Sequence, residues 1–104
     1  MLSNSTKYSI NELEYQNKSV VSKVITRNNA GNVTLFAFDE GESLSPHSAP
    51  YNALVLILDG RAEIMIGDNF YQLSKDEFII MPANIIHSVK ALEKFKMLLV
   101  MLKS

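Results

Sequence analysis

Short apolar and β-branched segments, each followed by turn-forming residues, recur along this sequence at intervals of about ten residues. Between residues 19 and 27 β-branched residues predominate, which favours a pleated strand. Ala53–Leu58 is apolar without interruption and is followed by Asp59-Gly60, a hairpin signal, so we expect a central strand with both faces covered. Many short strands with tight turns are typical of an antiparallel sandwich or barrel, so the sequence predicts an all-β domain of roughly six to ten strands.

Local patterns also place the individual elements along the chain. The predicted strands are residues 19–27, 33–38, 53–58, 61–66, 70–73, 78–81, 87–92 and 95–102. Ser9 and Glu12 have the spacing of a capping box, which predicts a short helical turn over residues 9–15. We expect residues 1–18 to form an N-terminal lead-in, with residues 1–8 as a mobile segment or an edge strand.

Composition excludes several classes of protein. The 104 residues are near the common domain size, which predicts a single domain. Ten basic and 11 acidic residues leave no charge excess, so we expect neither nucleic acid nor a membrane surface as a partner. The longest apolar runs, of which Met97–Leu102 is one, are far shorter than the ~20 residues of a membrane span, and we expect a cytoplasmic location. The absence of cysteine leaves His, carboxylates and amides as the expected metal ligands.

The two histidines are the strongest candidates for a functional site. His47 and His87 lie 40 residues apart, and each is next to a proline-containing loop at the end of an apolar segment. Only a fold of the predicted kind can bring them together. Binding residues are frequently found on such loops because a rigid scaffold positions them.

Two groups of residues resemble the sequence motifs of the cupin family, G-x5-H-x-H-x3,4-E-x6-G and G-x5-P-x-G-x2-H-x3-N. Gly41, His47 and Gly60 match the first motif, and Pro82 and His87 match the second. The other motif positions differ from the family pattern: Ala49 replaces the second His, Ala53 the Glu, Asp76 and Asn84 the two glycines of the second motif, and Ala91 its Asn. The resemblance, to small cupins of the cupin 2 conserved-barrel type, covers the chain from about residue 33 onward. It implies an antiparallel jelly-roll barrel, with residues 1–104 as one cupin domain.

A barrel of this kind needs an apolar inward face on its strands. The residues that can supply it are Phe36, Phe38, Val55, Ile57, Ile64, Ile66, Ile80 and Val89. The predicted pocket residues are His47, His87, Tyr51, Asn52, Phe36 and Phe38. Four methionines, Met65, Met81, Met97 and Met101, are interpreted as core or interface filler, with a soft lining for a small apolar ligand as the alternative.

Two functional classes follow from this pocket. In the first, the protein binds a small molecule without catalysis, and its metal site is degenerate. In the second, it is a metal-dependent enzyme of the dioxygenase, isomerase or decarboxylase type found among cupins, with His47 and His87 holding one divalent ion (Zn, Mn, Fe or Ni). Catalytic zinc usually has three protein ligands and facial-triad iron needs a carboxylate, so Ala49 and Ala53 favour the first class.

The sequence also predicts self-association. Ala53–Leu58 and Met97–Leu102 are apolar on both faces, and so small a chain covers only one side of each sheet. We expect a homodimer, as the cupin resemblance also implies, in which the strand at residues 19–27 extends the sheet of the partner.

Overall fold

A computed structural model describes residues 5–103, which form nine β-strands and one short 3₁₀ helix. The bounds are η1 Ile10–Glu12, β1 Val20–Asn28, β2 Gly31–Phe38, β3 Ser43–His47, β4 Asn52–Asp59, β5 Arg61–Ile66, β6 Asn69–Ser74, β7 Phe78–Met81, β8 His87–Ala91 and β9 Phe95–Leu102. The prediction of an all-β domain is confirmed. In the described part of the chain, no helix is long and apolar enough to cross a membrane.

The strands form two sheets. One has five strands in the order β1-β2-β9-β4-β7, and the other has four in the order β3-β8-β5-β6. Every strand pairing among residues 5–103 is antiparallel. Strands that are neighbours in sequence often lie in different sheets, which is the arrangement of a jelly roll.

The core lies between the two sheets and draws on both. Phe38 and Phe95 stack with ring centroids 4.4 Å apart, and both are fully buried. Val55 and Ile57 of β4 meet Ile64 of β5 in the same cluster. Each such side chain stabilises the fold by about 1.5–3 kcal/mol through removal from water. The prediction of an apolar inward face is therefore confirmed for most of its residues.

Ile80 is the exception among the predicted inward residues. It is 46% exposed, whereas Met81 is buried and Ile79 packs against the core. Side chains alternate between the two faces of a strand, so a shift of one residue reverses the assignment. Because all four residues of β7 are apolar, the sequence does not distinguish its two faces.

Strand β3 was not predicted. Its sequence, Ser43–His47, is mostly polar and includes Pro46, and only Leu44 packs against the core. It forms the edge of the four-stranded sheet, where a proline is tolerated because one side of the strand needs no ladder hydrogen bonds. Pairing with β8, rather than an apolar pattern, makes this segment a strand.

The interpretation of Asp59-Gly60 as a hairpin turn is wrong. β4 and β5 lie in different sheets, so Gly60 is a corner at which the chain crosses from one sheet to the other. Its φ of 75° is in the left-handed region, which glycine adopts without steric cost. The corner also passes close to the backbone of Lys94 and Phe95.

The described part of the lead-in lies against the side of the five-stranded sheet that faces away from the core, called here the outer face. The capping box of Ser9 and Glu12 is present, but the helix is shorter than predicted, Ile10–Glu12. Lys96, between the inward-facing Phe95 and Met97, donates from Nζ to the Ile10 carbonyl at 2.8 Å and is only 6% exposed. The first four residues of the predicted lead-in lie outside the described residues.

Candidate functional site

The two histidines lie side by side at one end of the four-stranded sheet. His47 ends β3, His87 begins β8, and the two residues are direct partners in the ladder. A register shift between Leu44 and His47 re-aims the end of β3. The Nε2 atoms of the two rings are 3.1 Å apart, and the ring planes are inclined by 70°.

The other nitrogen of each ring contacts a backbone carbonyl. Nδ1 of His47 is 2.9 Å from the oxygen of Ser45, and Nδ1 of His87 is 3.2 Å from the oxygen of Ile85. A carbonyl oxygen only accepts hydrogen bonds, so each Nδ1 must be the donor. In the neutral imidazoles both Nε2 atoms then present lone pairs to each other.

The neutral histidine pair is one hydrogen short of the number that its contacts need. Three contacts, two to carbonyls and one between the rings, need three hydrogens, but two neutral imidazoles carry only two. The pair is complete only when a proton or another positive centre reaches the Nε2 atoms. The two rings therefore form a receptor for a cation or for a group that donates hydrogen bonds.

The environment keeps His87 neutral. His87 is 6% exposed, whereas His47 is exposed. Burial lowers the pKa of His87 below its ordinary value, the nearby His47 lowers it further, and the hydrogen bond to the Ile85 carbonyl opposes both effects. His87 consequently offers a neutral lone pair at neutral pH, the form in which imidazole binds ligands.

A small cavity between the sheets opens onto this pair. Its volume is about 40 Å³. The lining residues are Leu44, His47, Ala49, Tyr51, Ala53, Met81, His87, Val89, Met97, Leu99 and Met101. One water needs roughly 10–15 Å³ of such space, so the cavity admits an ion or a few waters. Pockets for drug-sized ligands are several times larger, about 300–1,000 Å³.

Three predicted pocket residues do not line this cavity. Asn52 accepts a hydrogen bond from the amide of Ala83 at 2.9 Å, which joins the two loops next to the histidines. Phe38 is stacked on Phe95 at the start of β9, and Phe36 packs against the same cluster. The cavity lies further along β9, at Met97, Leu99 and Met101, so Phe38 supports the barrel at a distance from the site. Phe36 is paired with Met97 at the near end of the cavity but does not line it.

The residues that line the cavity supply too few ligands for the divalent ion that the cupin motifs imply. Ala49 and Ala53 line the cavity at the motif positions of the second His and the Glu. Among residues 5–103 no group of three or more His, Cys, Asp or Glu could hold a metal ion. Two imidazoles are one protein ligand short of the usual catalytic zinc set and lack the carboxylate of an iron facial triad.

Comparison with known proteins agrees with the fold and the motifs. Residues 34–102 match the family described as Cupin domain. A conserved protein of unknown function from Streptococcus pyogenes is 32% identical with a TM-score of 0.91, over 99% of this chain and 91% of that one. A cupin superfamily protein from Desulfitobacterium hafniense is 29% identical with a TM-score of 0.88, over 91% and 87% of the two chains.

A cupin 2 conserved barrel domain protein from Leptotrichia buccalis is 39% identical with a TM-score of 0.87. The match covers 89% of this chain but 45% of that one, so this chain spans less than half of that protein. Among curated proteins none matches at a significant level. The family match over most of the chain, together with the jelly-roll topology, shows that this protein belongs to the cupin family.

Proposed function

We propose that this protein is a binding cupin whose small ligand docks on the paired Nε2 atoms of His47 and His87. One observation carries the proposal: both Nδ1 atoms donate to carbonyls, so two lone pairs converge 3.1 Å apart with one proton too few. The ligand is a cation or a small molecule that enters the cavity with a positive or hydrogen-bond-donating group. The apolar remainder of the wall strengthens such a polar contact, because its local dielectric is low.

The donor set favours binding over catalysis. The described residues that line the cavity include no Asp or Glu, so the wall provides neither a carboxylate base nor a carboxylate metal ligand. The phenol of Tyr51 is the remaining polar side chain of the wall. A metal-dependent cupin enzyme would need further ligands from its substrate or from water.

Replacing either histidine with Gln is expected to abolish binding while leaving the fold intact. Gln retains polarity and approximate volume but removes the imidazole lone pair, so unfolding free energy should change by less than ~1.5 kcal/mol. Urea unfolding measures stability. NMR titration with methylammonium, guanidinium and Zn²⁺ measures binding through the resonances of Leu44 and Val89, which line the cavity.

The proposal fails if His87→Gln binds these probes as the wild type does, or if both Gln variants unfold while wild-type protein binds none of them. Metal analysis of protein purified without a histidine tag adds a separate criterion. Stoichiometric Fe, Mn or Ni would favour the enzyme over the binding protein.

We also propose that two copies pair through the outer face. Phe78 and Ile80 of β7 are 65% and 46% exposed, and Leu102 at the end of β9, on the far side of β4, is exposed on the same face. The N-terminal segment covers the part of this face near Leu35 and leaves that apolar patch open. A second copy presents the same patch, so a two-fold arrangement covers both at once. The edge strands β1 and β7 are available to extend the sheet of the partner.

Introducing a charge into this patch should dissociate the dimer. Phe78→Glu buries a carboxylate at the interface, which costs several kcal/mol if it stays unpaired. Light scattering at micromolar concentration should give a dimer mass for the wild type and a monomer mass for the variant. Phe70→Glu is the matched control, because Phe70 is 64% exposed on the other sheet. A monomeric wild type, or equal dissociation of both variants, would contradict the proposal.

A further inference from the structure

Sulfur atoms, rather than carboxylates, surround the position where the cupin motif has its Glu. In the five-stranded sheet Ala53 of β4 is paired directly with Met81 of β7 on one side and with Met101 of β9 on the other. Directly opposed residues have Cβ atoms about 4.5–5.5 Å apart, so both methionines begin next to the Ala53 methyl group. All three residues line the same cavity as the two histidines.

The histidine pair by itself makes a bent, incomplete site. With Nε2 atoms 3.1 Å apart, an ion about 2.0–2.1 Å from each nitrogen would see them at an angle of roughly 100°. Linear two-coordination is excluded by this spacing, so an ion held here needs one or two further donors. On the wall of the cavity these are thioethers and the phenol of Tyr51.

We infer that the cavity is a site for a soft monovalent cation, Cu(I), held by the Nε2 atoms of His47 and His87 and by thioether sulfur from Met81 and Met101. Thioethers select soft ions such as Cu(I), and imidazole also binds copper, whereas the harder divalent ions prefer carboxylates. The inference deepens the proposed function and rests on it, since the same two lone pairs receive the ligand.

Size, charge and access agree with this assignment. A cavity of about 40 Å³ admits an ion, and a single positive charge costs less to bury than a double one. His87 is buried at the cavity, and the exposed His47 gives the ion a route from solvent. Sδ of Met101 lies 3.8 Å from Nδ2 of Asn32, which is a weak contact. The flexible methionine side chain gives up this contact when it binds the ion.

Anaerobic titration of Cu(I) against a chromophoric Cu(I) chelator tests the inference, with Ag(I) as a redox-inert substitute and Zn(II) measured in parallel. The variants are Met81→Leu, Met101→Leu and the double substitution, which keep volume and should each cost less than ~1.5 kcal/mol in stability. Met65→Leu is the matched control, because Met65 lies on β5 outside the cavity lining.

The wild type should bind one Cu(I) per chain, with copper–sulfur scattering in X-ray absorption. The double variant should bind Cu(I) at least ~10-fold more weakly with Zn(II) affinity unchanged, since only the soft donors are lost. If the double variant does not fold, Met101→Leu alone is titrated in its place, because Met101 is only half-buried.

Equal Cu(I) affinity in the double variant and the wild type would overturn the inference. If His87→Gln still abolished binding in that case, the histidine receptor would stand without sulfur ligands. Unchanged binding of both Cu(I) and Zn(II) in His87→Gln would instead overturn the proposed function together with the inference.

Discussion

Gly60→Ala is expected to destabilise the protein by more than ~3 kcal/mol, through strain at a single corner of the backbone. Gly60 has a φ of 75°, and a Cβ atom there would overlap the carbonyl oxygen of Lys94 and lie 2.8 Å from Cα of Phe95. Both neighbours are backbone atoms, so no side-chain rotation relieves the clash. Because Phe95 stacks on Phe38, a shift of the backbone there disturbs the core.

Urea unfolding measures this loss of stability, and Gly41→Ala separates the conformational strain from the steric clash. Gly41 has a similar φ of 82°, but a Cβ atom there would have nothing within 4 Å. The control therefore keeps the conformational strain, about 1–2 kcal/mol, without the clash. Equal losses of stability in the two variants would show that the backbone at Gly60 relaxes and that the clash with Lys94 and Phe95 does not destabilise the protein.

Ala49→His should convert the histidine pair into a divalent zinc site. Ala49 lines the cavity at the position where the cupin motif has its second His, so a new imidazole there adds the third protein ligand that catalytic zinc usually has. Structural sites with four ligands bind zinc with a free energy of ~10–16 kcal/mol, which is about 3 kcal/mol per ligand. A third ligand should therefore raise Zn²⁺ affinity roughly 100-fold.

Competition with a fluorescent zinc chelator measures this gain. Ala83→His is the matched control, because Ala83 is also a half-buried loop alanine but lies outside the cavity lining. Zn²⁺ affinity should be unchanged in the control. The same rise in both variants would indicate surface binding, and no rise in Ala49→His would mean that the loop cannot aim a ligand at the pair.

Local patterns in the sequence predicted most strands because both signals they use are local. Strands β5 and β7 have the predicted bounds, Arg61–Ile66 and Phe78–Met81. Apolar and β-branched residues mark where a strand can form, and glycine, proline, asparagine and aspartate mark where it ends. The spacing of His47, Gly60, Pro82 and His87 predicted the family as well. The polar strand β3 was missed because its stability comes from pairing with β8.

The candidate site was only partly predictable. The sequence singled out His47 and His87, but not that both Nδ1 atoms are engaged by carbonyls, which depends on the backbone at Ser45 and Ile85. Phe36 and Phe38 were assigned to the pocket because inward-facing residues of a barrel look alike in sequence. The register with β9 separates Phe38 from the cavity by pairing it with Phe95, and it places Phe36 opposite Met97, next to the lining.

By itself the sequence determined the all-β class, most of the strands, the family and the two histidines, since each depends on residue type and short spacing. The tertiary structure decided that Gly60 is a corner between sheets, that Ile80 faces outward and that Met81 and Met101 flank Ala53. The physical reason is that alternation shows that a strand has two faces without showing which one is buried. Which residues from distant strands meet is set by sheet order and register, and these depend on the packing of the whole chain.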